Sequence, residues 1–380
     1  MKLTDKPGYL KQSLQAAMAK DGLDAVVAMS PENFLHLAGV YVVSQRMIRE
    51  RLAIAVYPRS GDPFLVISSV VSHTVKRESW VADQVAWAEH VKTPIETLAT
   101  ELESRGLGAG RIGLELHYLA AAYFDELRSA APGCQWVDCE SLFNRSRMVK
   151  TADEIELMRR NAIAAEKAIW AGFMFAREGT TEREIADRMV TSLYEVGGDY
   201  SPFMALSAGS EHSRLHHAVA GEYRLKAGDT VGVDMVGTFA GYYSDYARMA
   251  VVGSPSNGQR KAWKAVVDVQ RQVMRDAVPG VSAELLAGNA VKYARQIGYE
   301  LDTNLVGHSL GIGLHEHPPL TAGCAEPLQA NMTMCIEIIV EDKEWGRFHV
   351  EDLVAVGDPD GARRLTTYFD TSELYQIAKS

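Results

Sequence analysis

Apolar positions in the first part of the chain alternate between two spacings. Leu10, Leu14, Ala17 and Met18 recur at helical intervals until Gly22 stops the pattern. The continuous apolar run Ala25-Val26-Val27-Ala28-Met29 follows and reads as a buried strand. Ala53–Tyr57 and Phe64–Ile67 bracket Ser60-Gly61-Asp62-Pro63, the signature of two strands joined by a turn. Ile112-Gly113-Leu114-Glu115 reads as a further strand, and Tyr118–Ala130 as a helix. Strands alternating with helices predict an α/β unit over residues 1–150.

The pattern changes after Lys150. Thr151 and Glu154 form a capping box, and behind it Ile155, Met158, Ala162, Ala165, Ile169 and Phe173 make one apolar stripe of a long helix. A domain boundary belongs here, with a second domain over 151–380. Within it, Gly179-Thr180-Thr181 opens a helix ending at Gly197, and Gly280-Val281-Ser282 opens another ending at Gly298. The two spans are equal in length. Each follows a long amphipathic helix and precedes strand-like segments. The second domain therefore reads as two similar helix-helix-sheet halves with a site between them.

Composition narrows the function classes. With 47% hydrophobic and 23% charged residues, a chain of 380 residues is ordinary globular protein with enough core for two domains. A net charge of −10, without a basic run interleaved with aromatics, argues against a nucleic-acid partner. No stretch approaches the roughly 18 apolar residues of a membrane span, so no membrane partner is expected. Met1–Pro7 lacks the apolar segment of a signal peptide, and the expected location is cytoplasmic. Cys134, Cys139, Cys324 and Cys335 form no CxxC pair and are expected to be reduced and packed.

The chemistry lies in acids placed where acids are costly. Asp234 ends the apolar run Thr230-Val231-Gly232-Val233, and Glu337 sits between Met334-Cys335-Ile336 and Ile338-Ile339-Val340. Desolvating a carboxylate there costs several kcal/mol unless it is paired or metal-bound. With Asp245, His308 and Glu351 these form an ordered set of five that could hold two divalent ions sharing carboxylates. Asp234 and Asp245 flank the turn-rich Gly237-Thr238-Phe239-Ala240-Gly241, so two strands joined there can bring them to one point. Read as structure alone, the pair needs only Arg248, three beyond Asp245, as an ion-pair partner. His308 opens a glycine-rich run that lacks the P-loop lysine and GxGxxG spacing, so a phosphate cradle is discounted. His315-Glu316-His317 is not HExxH, and no GxSxG elbow occurs. Tyr242 and Tyr243 either line the pocket or pack.

Taken together, Gly228-Asp229 ahead of Asp234, then Asp245, Gly307-His308-x2-Gly311-x3-His315-Glu316-x-Pro318, Ile336-Glu337 and Val350-Glu351-Asp352 resemble the metallopeptidases of the pita-bread fold. That family includes methionine aminopeptidases, Xaa-Pro aminopeptidases and prolidases, with creatinase as a metal-free relative. Lys150–Arg159 resembles the helix that opens the family's catalytic domain, and residues 1–150 resemble the creatinase-type N-terminal domain. The resemblance implies an α+β fold, with a C-terminal pita-bread domain of two pseudo-symmetric helix–sheet halves behind a smaller α/β creatinase-like domain.

Further implications concern the site. Asp234 would chelate one ion, Asp245 and Glu351 would bridge two, and His308 and Glu337 would complete the other shell, the ions being Mn, Fe, Co or Zn. Glu337 would also act as general base and then acid. His217, with His216 as the fallback, would bind substrate or protonate the leaving group, and His315 would contact the scissile carbonyl. The implied activity is metal-dependent hydrolysis of an Xaa-Pro dipeptide or short peptide by a homodimer, each N-terminal domain helping to close the neighbouring site. Members usually carry His-Gly where this chain has Asn304-Leu305, Arg where it has His349, and Pro where it has Ile338. These departures admit a second reading, a non-peptidase on the same fold acting on a small amino-acid-like molecule such as ectoine or dimethylsulfoniopropionate. A third, a non-catalytic binding protein, is disfavoured by the intact set of five.

Overall fold

The computed structural model describes residues 6–379 and divides into two compact units, one running to Arg147 and the other beginning at Met148. The first unit contains α1 (Lys6–Asp21), β1 (Ala25–Ala28), α2 (Pro31–Ala38), α3 (Val43–Met47), β2 (Ile54–Pro58), β3 (Phe64–Ser68) and α4 (Ser72–Glu78). It continues through β4 (Asp83–Trp87), α5 (Pro94–Ser104), β5 (Arg111–Leu114), α6 (Ala121–Ala130), β6 (Gln135–Asp138) and α7 (Glu140–Met148). Its six strands form one sheet in the order β4-β3-β2-β1-β5-β6. The predicted turn does join antiparallel β2 and β3, with Ile54 opposite Val66. Alternate residues of β1 feed different cores: Val26 and Ala28 pack with Leu14 and Phe34, Ala25 and Val27 with Ile95 and Leu98. A sheet buried on both faces explains why its strands read as continuous apolar runs.

The second unit begins with α8 (Ala152–Phe175) and α9 (Glu182–Glu195), then β7 (Tyr200–Ala208), β8 (Thr230–Phe239) and β9 (Tyr242–Val252). The arrangement recurs as α10 (Asn257–Asp276) and α11 (Ala283–Gln296), followed by β10 (Gly307–Ser309), β11 (Glu316–Pro319), β12 (Thr333–Asp342) and β13 (Gly346–Asp358). β14 (Gly361–Arg364) and β15 (Tyr375–Ile377) complete it. One sheet runs β15-β9-β8-β7 and the other β11-β10-β12-β13-β14. The capping box predicted at Thr151 is present, and every residue of the predicted stripe on α8 is buried. Strand alternation then sorts β12. Met334, Ile336, Ile338 and Val340 join Val266 and Val273 of α10 in the core, leaving Cys335 and Glu337 on the other face. Among the described residues, no helix is long and apolar enough to cross a membrane, and the four cysteines are free.

Arg248 does not pair with Asp245. Three positions along a strand is an odd offset, so the two side chains leave opposite faces of β9. The Arg248 guanidinium is 0% exposed and bonds Glu166 Oε1 of α8 at 2.6 Å and Asp352 Oδ1 of β13 at 2.7 Å, and it donates to the Glu351 carbonyl. Removing one member of such a network strands a buried charge at a cost of about 3–5 kcal/mol. Arg248→Ala is therefore predicted to lower the unfolding free energy of the second unit, read by denaturant titration, by that amount or to prevent folding, whereas Thr151→Ala, which removes a helix cap, should cost only about 1 kcal/mol.

Candidate metal centre

Register brings the five predicted residues together. Asp245 lies opposite Val236 and Asp234 opposite Ala247, so the two carboxylates share one face of the β8–β9 pair as diagonal neighbours. In the other half, Glu337 is directly opposite Glu351, and His308 is opposite Cys335. β9 packs against β13. Asp234, Asp245 and Glu351 each bring a carboxylate oxygen within 4.8 Å of the others. His308 Nε2 is 3.7 Å from both Asp245 Oδ2 and Glu351 Oε1. Close approach of β10 requires Gly307, which has φ +150° and where a Cβ would lie 2.2 Å from the Cys335 carbonyl oxygen.

This cluster is short of positive charge. Burial drives Asp245 and Glu351 well above the usual carboxylate range, and their acidic neighbours add to it. Asp234 is also raised by burial, although His349 and His217 pull it back. Glu337 is lowered instead: burial opposes ionisation, but the His349 imidazole at 3.4 Å outweighs it. His308 is lowered to about 4, first by burial and then by His315, so its ring is neutral at pH 7. Its Nδ1 donates to the Ser309 carbonyl at 3.1 Å, which turns the Nε2 lone pair toward Asp245 and Glu351. Asp234 Oδ1 and Glu351 Oε1 are buried and accept no hydrogen bond. Crowded carboxylates, a lone pair aimed at them and orphaned oxygens are the donor set of a divalent cation site.

Three further residues belong to the cluster. His315 is exposed and stacks on His308 with centroids 3.9 Å apart and planes at 10°. His349, read in the sequence only as a departure, groups with Glu337 and Glu351, and Cys335 groups with His308 and Glu351. The signal for both was available: His349 is two positions from Glu351, and Cys335 two from Glu337, on strands where every second residue shares a face. His217 is exposed at φ +54°, with its ring edge-on to Phe203 at 5.1 Å, and its charge acts on Asp234. His216 faces elsewhere, between Arg347 at 2.9 Å and Asp302 at 3.2 Å. Tyr242 is buried and donates to Glu154 at 2.7 Å, and the Tyr243 N–H donates to the Gly311 carbonyl, steadying the glycine run. Asn304 is exposed in the loop that also carries Asp302.

Residues 156–358 match the model of metallopeptidase family M24, and residues 11–149 match the creatinase/prolidase N-terminal domain. A putative dipeptidase of Bacillus subtilis is 26% identical over 358 residues, covering 94% of this chain and 97% of that one. An Xaa-Pro dipeptidase of Pyrococcus furiosus is 31% identical over 221 residues, 58% of this chain and 63% of the relative. The crystal structure of the dipeptidase PepE from Mycobacterium ulcerans superimposes with a TM-score of 0.84 at 25% identity, covering 99% of both chains.

The sign of the carboxylate shifts sets a test on metal-free protein. A carboxyl whose folded pKa is raised contributes stability below its unfolded pKa and loses it as pH rises through the folded value. The apo protein should therefore melt at progressively lower temperature as pH rises above the ordinary carboxylate range, because Asp245 and Glu351 are forced to ionise side by side. A divalent cation should reverse that trend, and its uptake should release protons, measurable by calorimetry in buffers of different ionisation enthalpy.

Proposed function

This chain belongs to metallopeptidase family M24, and from that premise we propose that it hydrolyses Xaa-Pro dipeptides or short peptides beginning Xaa-Pro. The observation that carries the reading is the convergence of Asp234, Asp245, His308, Glu337 and Glu351 from both halves of the fold. Asp234, Asp245, His308, Glu337 and Glu351 would together hold two divalent ions as direct ligands. Such ions, of the Mn, Fe, Co or Zn type, lower the pKa of a bound water and polarise a carbonyl.

The chain's own residues supply the rest. Glu337 is kept ionised by His349, so it can take a proton from the attacking water and return it to the leaving nitrogen. His315 is exposed at the cluster and stacked on a fixed ring, which suits it to hold the charge that develops on the carbonyl oxygen. His217 is exposed and within electrostatic reach of Asp234, where it would bind the substrate or protonate the departing amine. Relatives named as Xaa-Pro dipeptidases support the choice of bond.

Loaded in turn with Mn, Co, Zn and Fe, the protein is expected to release proline from a panel of Xaa-Pro dipeptides in at least one form. If every form leaves the whole panel intact, the reading is overturned, and ectoine or dimethylsulfoniopropionate becomes the substrate to assay. His315→Ala should lower kcat by roughly 100- to 1000-fold, the scale of one lost oxyanion donor, while metal content by elemental analysis stays at the wild-type level.

A further inference from the structure

The segment joining β7 to β8, from Ala208 to Gly221, carries both His216 and His217. Its base converges on one buried carboxylate. Glu182, in the first turn of α9, is 0% exposed. Its Oε1 accepts from the Ala208 N–H at 2.7 Å and from His212 Nδ1 at 2.7 Å, and its Oε2 accepts from the Gly221 N–H at 3.0 Å. One side chain thus grips the beginning, the early middle and the end of the loop. Backbone contacts reinforce it: Arg183 N–H donates to the Gly221 carbonyl at 3.0 Å, and Leu206 N–H to the Ala218 carbonyl at 3.0 Å.

The far side of the loop is fastened to the other half of the unit. Arg214 donates to the carbonyls of Asp342 and Lys343 at 3.2 and 2.7 Å, Arg347 N–H donates to Ser213 Oγ at 3.3 Å, and His216 sits between Arg347 and Asp302. His217 lies between these two sets of anchors. Its left-handed backbone is unfavourable for a residue with a side chain and persists only where the surroundings enforce it. Three donors meeting in a dry site have no water to replace a lost acceptor.

We propose that Glu182 is a positioning residue for the reaction, clamping the 208–221 loop so that His217 is held beside Phe203 and within reach of Asp234. The inference rests on the reading of His217 as a substrate-side group. Glu182 touches neither substrate nor ion and acts only through the loop.

The test compares Glu182→Ala, Glu182→Gln, His217→Ala and the double variant Glu182→Ala/His217→Ala as metal-loaded, full-length proteins. Turnover of an Xaa-Pro dipeptide is read beside amide hydrogen exchange. Glu182→Ala should lower kcat/KM roughly 10- to 100-fold, the scale of a displacement of about 1 Å at a catalytic group. Metal content and exchange in β8 and β9 should stay unchanged, while amides of residues 209–221 exchange faster. The double variant should be no slower than His217→Ala alone, because the two act as one unit. Glu182→Gln keeps one accepting oxygen and should fall between wild type and alanine; it carries the test if the alanine variant does not fold. Losses that multiply in the double variant, or a loop whose exchange is unchanged, overturn the proposal. If His217→Ala turns over at the wild-type rate, the role of His217 fails and the catalytic part of this proposal with it, whereas total failure of Xaa-Pro cleavage by the wild type overturns the substrate reading instead.

Discussion

Arg248 is the fixed point of the catalytic unit. Its guanidinium joins the first long helix through Glu166, the second half through Asp352, and the backbone of a predicted ligand through the Glu351 carbonyl. A buried ion network contributes little net stability compared with well-packed apolar side chains. Its value here is registry. Arg248 and Asp245 belong to the same strand, as do Asp352 and Glu351, so locking one pair on the far face aligns the other pair on the near face. The spacing of carboxylates at the site follows from a contact that never touches it.

The same strands separate two electrostatic regimes a few residues apart. Behind β9 and β13, acids are matched by a permanent cation. In front, Asp245 and Glu351 are as deeply buried but face a histidine that burial has made neutral. Protein groups satisfy one side and leave the other side demanding a cation from outside. Glu337 has the His349 imidazole 3.4 Å away. The residue proposed to exchange a proton is thus the one whose ionisation is favoured by a protein group as well.

Much of this was legible from periodicity. The long helix behind Thr151, the repeat of two helices followed by strands, and carboxylates in apolar runs all follow from local pattern, and local pattern specifies faces. What local pattern does not specify is which strand lies opposite which. Nearness in sequence offers Arg248 to Asp245 as an ion-pair partner under the purely structural reading, yet the partners of Arg248 are 82 and 104 residues away. Counting faces would have excluded the wrong pair, because the offset is odd. His349 and Cys335 were within reach of the same count. Glu182 was not, since its function depends on three donors from a loop whose path no spacing rule predicts. In the first unit, β4 and β6 carry no continuous apolar run because they form the sheet edges, where half-exposed strands lose that signature.

Synthesis from the N-terminus imposes an order on these contacts. Glu166 leaves the ribosome before Arg248, but Asp352 follows Arg248 by 104 residues. At roughly 5–20 residues per second, the interval is about 5–20 seconds. Throughout it, Arg248 has one carboxylate instead of two, and Asp234 and Asp245 have neither His308 nor the strand that brings Glu351. The first half by itself therefore lacks two strands that flank β9: β15, which pairs with it, and β13, which packs against it. The charge network behind the site can be completed only after β13, among the last strands of the chain, has been made.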